Sequence, residues 1–98
     1  MKANKDTSNL TRINFVFEGK VQGVGFRYFV KKKAESLGIQ GYVENKKDGS
    51  VFVNAQGNKG ALERLDKFCQ IGTTHSKVRS VDKIKKPIEN LKGFRIVY

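Results

Sequence analysis

The chain has little with which to staple itself, anchor itself or hold a metal. A single cysteine, Cys69, excludes an internal disulfide framework and suits a reducing compartment. No apolar run approaches the length that spans a bilayer, so no membrane segment is expected. The lone histidine, His75, sits in the polar stretch Gly72–Lys77 with no cysteine or aspartate at ligand spacing. It reads as a surface residue, and neither a metal nor a cofactor is expected. No Cys–His or Ser–His–Asp arrangement is apparent, which disfavours covalent catalysis. Acidic side chains are scarce too: nine Asp and Glu against twenty Lys and Arg leave a formal net charge of +11.

Two readings fit that excess of positive charge. One is an anionic partner, either nucleic acid or a phosphorylated small molecule; the other is a lysine-rich soluble surface. Lys31-Lys32-Lys33 reads as a solvated helix face rather than a docking patch. With 98 residues there is room for one domain and one modest core, and seven Phe and three Tyr are enough to fill it. The opening MKANKDTSNL lacks the apolar stretch of a secretory signal. It reads as a mobile polar extension over residues 1–10, with the folded domain at 11–98, the cytoplasm as the expected location and a monomer as the expected state.

Hydrophobic periodicity orders the rest. Ile13, Phe15 and Phe17 alternate over Arg12–Phe17, as in a strand. From Phe26 to Leu37 the apolar positions Phe26, Phe29, Val30, Ala34 and Leu37 recur at helical steps, with Gly38 placed to stop the helix. Strand candidates Ile39–Asn45 and Ser50–Gln56 flank Lys46-Lys47-Asp48-Gly49, a hairpin signal. A second helix fits Lys59–Gln70, with Ala61, Leu62, Leu65, Phe68 and Cys69 on one face. Val78–Lys85 is a further strand ended by Pro87, and Phe94–Tyr98 alternates so as to bury Phe94, Ile96 and Tyr98. Strand–helix–strand–strand–helix–strand is the split βαβ order. It predicts a ferredoxin-like α+β fold: an antiparallel sheet with both helices on one face, plus a short closing strand.

Between the first strand and the first helix lies Gly19-Lys20-Val21-Gln22-Gly23-Val24-Gly25-Phe26-Arg27. Its glycines permit a tight turn, positive φ and close approach to a ligand. Backbone N–H groups in such a turn converge on an anion, and the helix that follows adds its own free N–H groups and dipole. Arg27, in the first helical turn, can fork two hydrogen bonds onto phosphate oxygens. The alternative is a loop needed only for packing, with Arg27 as a surface charge. Two better-known phosphate loops are absent: the dinucleotide fingerprint wants glycine at Tyr28, and no Gly-Lys-Ser/Thr occurs.

That run resembles the first signature of the acylphosphatase family. Gly41-Tyr42-Val43-Glu44-Asn45-Lys46-Lys47-Asp48-Gly49-Ser50-Val51, with Gly57 six residues on, resembles the second, and Phe94–Tyr98 is similar to the family's usual C-terminus. The resemblance spans Thr11–Tyr98. It implies a metal-free hydrolase that converts an acyl phosphate to carboxylate and phosphate by in-line attack of water. Arg27 would bind the phosphoryl group and Asn45 would orient the water. The N–H groups of Gln22, Gly23, Val24, Gly25, Phe26 and Arg27 would line the phosphate cradle. Glu44 departs from the pattern, where a basic or small residue is expected; because strand neighbours point to opposite faces, it should face away from the water.

The rival reading is a basic ferredoxin-like nucleic-acid-binding module. Gly23–Val30 echoes the aromatic signature of RNA-recognition folds. That signature belongs on an inner strand with its aromatics exposed, whereas here it follows the first strand and runs into a helix. No specific nucleic-acid partner is therefore expected.

Overall fold

In the computed structural model, which describes residues 10–98, the alternation of Ile13, Phe15 and Phe17 becomes the inward face of a long strand, β1 (Leu10–Lys20). The expected N-terminal extension lies outside the described residues except for Leu10, which pairs with Asn58. The first helix, α1 (Phe26–Ser36), buries Phe26, Val30 and Ala34 at four-residue steps. It is followed by Gly38 at φ +72°, a left-handed position that closes helices without a Cβ penalty.

Strands β2 (Gln40–Asn45) and β3 (Val51–Asn58) form the anticipated hairpin. Its turn is locked by Asp48 Oδ1, which accepts hydrogen bonds from the Ser50 N–H at 2.9 Å and the Ser50 hydroxyl at 2.6 Å. These bonds favour the charged form and hold the Asp48 carboxyl below its ordinary value. The second helix, α2 (Lys59–Ile71), buries Leu62, Leu65 and Cys69, and β4 (Lys77–Lys86) and β5 (Phe94–Val97) complete the chain.

The sheet order is β4-β1-β3-β2-β5. Four strands are antiparallel, as the split βαβ order requires, and both helices contact the sheet and each other. Phe15, Phe17, Val43, Val51 and Val53 meet Phe26, Val30, Leu62 and Leu65 in one core. The fifth strand changes the purely antiparallel sheet expected from the sequence into a mixed one, because β5 runs parallel to β2. The reason is topological: β4 ends at one edge of the sheet, and the chain crosses the sheet's end to enter beside β2 at the other. That crossing is clamped by buried polar groups. Arg12 Nε donates to Pro87 O at 2.6 Å, and Gln56 exchanges two hydrogen bonds with the Glu89 backbone.

A second correction concerns β5 itself. Phe94 is buried and Ile96 half-buried, but Tyr98 is 95% exposed. Alternation predicts an inward side chain only where a sheet continues, and the last pairing here is Glu44 with Val97. Among the described residues no helix is long and apolar enough to cross a membrane.

Candidate active site

Because β1, β2 and β5 run in the same direction, their C-terminal ends share one end of the sheet with the start of α1. The loop between β1 and α1 begins at a bulge, where the β4 register shifts between Glu18 and Gly19. Gly19 (φ +133°) is there because a Cβ would stand 2.1 Å from Lys77 O. Gly23 and Gly25 are left-handed, at φ +74° and +76°, with nothing within 4 Å of a would-be Cβ. Conformation rather than crowding selects glycine at these two positions. Alternating left-handed residues turn successive amides toward one side, the geometry of an anion-binding nest.

Gly25 is also the N-cap of α1. It offers no side-chain hydrogen bond, and the first helical turn carries no acidic residue. The opening N–H groups of α1 and its positive dipole end are therefore left for a ligand. Arg27 sits in that turn. Among the described residues its guanidinium makes no hydrogen bond or ion pair, and its one contact of note is the Tyr98 ring, whose centroid is 5.0 Å away.

Asn45 ends β2, opposite Val51. Its Oδ1 is buried and, among the described residues, accepts no hydrogen bond. A buried carbonyl without a donor costs about 1–3 kcal/mol, so such an oxygen is positioned for a donor that arrives with the ligand. Gly23, Gly25, Phe26, Arg27 and Asn45 line a single cleft of about 180 Å³. Two expected cradle residues, Gln22 and Val24, are not on its wall. Gln22 Nε2 instead donates to Lys46 O and Ser50 O, both at 2.8 Å, tying the glycine loop to the hairpin that carries Asn45. Val24 packs on the core, and its carbonyl accepts the Thr73 hydroxyl at 3.0 Å. Glu44 is off the cleft wall as well, with its carboxylate 3.4 Å from Lys46 Nζ.

The family model described as Acylphosphatase matches residues 13–96. The chain belongs to the acylphosphatase family. An acylphosphatase of Archaeoglobus fulgidus is 42% identical over 80 residues, covering 82% of this chain and 90% of that protein. The crystal structure of acylphosphatase from Bacillus subtilis superposes with a TM-score of 0.88 at 35% identity, covering 90% of this chain and 99% of that one. An acylphosphatase structure from Coxiella burnetii gives a TM-score of 0.90 at 33% identity over 95% and 98% of the two chains. The hydrolase class implied by the two signatures is thereby shown, and the nucleic-acid alternative finds no support.

The sequence reading missed four residues of the cleft wall. Val21 and Tyr28 sit inside or beside the first signature, and Ile96 and Tyr98 come from β5 and just beyond it. Only the position of β5 beside β2 brings the last two to the site, and no spacing in the sequence announces that neighbour.

Proposed function

We propose that the chain hydrolyses acyl phosphates to a carboxylate and inorganic phosphate without metal or cofactor, Arg27 and the amides of Gly23, Gly25, Phe26 and Arg27 holding the phosphoryl group and Asn45 the water. The observation that carries this reading is the buried Oδ1 of Asn45, without a donor among the described residues, on a residue that lines the same cleft as Arg27. Asn45 has no basic group, but its carbonyl accepts a hydrogen bond from water and aims the oxygen at phosphorus. The new P–O bond forms as the P–O bond to the acyl group breaks. The carboxylate leaves with the electron pair, and the proton of the attacking water passes to the phosphate.

So sparse a site is sufficient because a carboxylate leaves without protonation. The transition state is loose, and its charge sits on the three equatorial oxygens. Preorganised amides and one guanidinium act there by electrostatics, and Asn45 by positioning. The positive field of the chain, +11 formally, draws the substrate dianion in. A single buried cysteine and a chain of this size support a cytoplasmic monomer.

Steady-state hydrolysis of benzoyl phosphate with a chelator present tests this reading. The wild type is expected to be active and insensitive to the chelator, and Arg27→Gln to lose ~10³-fold or more in rate. An inactive wild type refutes the hydrolase reading, and activity abolished by chelation refutes the metal-free mechanism.

A further inference from the structure

Tyr98 has no structural reason to be where it is. It lies beyond the last sheet pairing, is 95% exposed and adds nothing to the core. Yet it lies on the wall of the active-site cleft, with its ring centroid 5.0 Å from the Arg27 guanidinium carbon. The loop amides, Arg27 and Asn45 of that cleft are assigned to the phosphoryl group and the water. An acyl group has only the remaining wall to meet. Within it, Phe26 and Val21 are each 1% exposed and offer almost no surface, which leaves Ile96, Tyr28 and Tyr98. The Tyr28 ring stands beside Lys32 Nζ, 6.0 Å away, rather than beside the phosphate-binding Arg27. Tyr98 is the aromatic face beside the guanidinium that grips phosphate.

We propose that the Tyr98 ring is the specificity-determining contact for the acyl group, favouring flat aromatic acyl phosphates over small aliphatic ones. This rests on the hydrolase reading above and adds to it a choice of substrate. Offset or edge-on packing of an aryl ring against Tyr98 adds attraction beyond simple area burial, which a methyl group cannot match. Among the described residues Arg27 has the only charged side chain on the cleft wall, and it is engaged by phosphate. An acyl group carrying a second carboxylate therefore gains nothing there.

The test is kcat/KM for benzoyl phosphate and for acetyl phosphate, measured on the wild type, Tyr98→Ala and Tyr98→Phe. The benzoyl-to-acetyl ratio is expected to fall about 3- to 10-fold in Tyr98→Ala, mainly through KM for benzoyl phosphate, and to be restored in Tyr98→Phe, which keeps the ring. An unchanged ratio in Tyr98→Ala overturns the proposal, as does a loss shared equally by both substrates, which would make Tyr98 a support for Arg27 alone. A ratio that Tyr98→Phe fails to restore also overturns it. Inactivity of the wild type toward both substrates refutes the hydrolase reading and this proposal with it, so the two failures are distinct.

Discussion

Replacing Asn45 by alanine should separate activity from stability. In the free enzyme Oδ1 is a buried acceptor with no donor among the described residues, and such a group costs about 1–3 kcal/mol where no water reaches it. Removing it cancels that cost, against the loss of packing from a small, half-buried side chain. The net effect should be a stability unchanged or raised by up to about 2 kcal/mol. For a domain of this size, that corresponds to a midpoint shift of up to roughly 10 °C. Turnover should move the other way. Loss of one preorganised group at the reacting centre lowers kcat by ~10²–10³, about 3–4 kcal/mol of barrier. KM and inhibition by inorganic phosphate should change little, because the phosphoryl contacts are untouched. Benzoyl phosphate kinetics and thermal unfolding on one preparation give both numbers. A folded Asn45→Ala protein with kcat within threefold of wild type refutes the assignment, as does a loss carried wholly by KM.

Three further outcomes follow from the loop and the core. Gly19→Ala should lose more than about 3 kcal/mol, because its Cβ meets backbone on β4 at a positive φ; Gly23→Ala, left-handed but in open space, should lose only about 1–2 kcal/mol. Urea midpoints compare the two, and equal losses would refute the distinction between crowding and conformation. Gln22→Ala should lose about 1–3 kcal/mol for its two hydrogen bonds to Lys46 O and Ser50 O. It should also lower kcat, and Gln22→Glu, which cannot donate, should not rescue either property. Burial and the nearby Asp66 push the Cys69 thiol well above its ordinary value, so thiol titration at pH 8 should find Cys69 inert until denaturant is added. The folded state keeps a proton that the unfolded state sheds, so stability should also fall as pH rises above about 9.

What could be read from the sequence, and what could not, divides along the range of the interactions. The faces of β1 and the two helices are local periodicities, and Ile13, Phe15 and Phe17 or Phe26, Val30 and Ala34 announce them directly. The glycine loop and Asn45 were legible because each lies within a short contiguous motif. The parallel placement of β5 was not: it depends on a chain crossing held by Arg12, Asn54 and Gln56 against residues more than thirty positions away. Tyr98 fell with it, since an alternation rule carries no information about where the neighbouring strand ends. The roles of Gln22 and Thr73 were hidden for the same reason, their partners being 24 to 49 residues distant.

On the proposed mechanism, those two tethers explain how so few groups can suffice. A loop with three glycines is entropically costly to hold in one shape, and a cradle that must order itself on binding loses that free energy from affinity. Here Gln22 fixes one side of the loop to the hairpin that carries Asn45, and Thr73, just after α2, fixes the other through Val24 O. The distance between the loop amides and the Asn45 oxygen, which the proposed mechanism gives to phosphate and water, is thereby set by the same hydrogen bonds that close the loop. Electrostatic stabilisation is worth most where donors need not move as charge develops. For this reason the proposed mechanism needs the tethers, though they line no part of the cleft, as much as the residues that do.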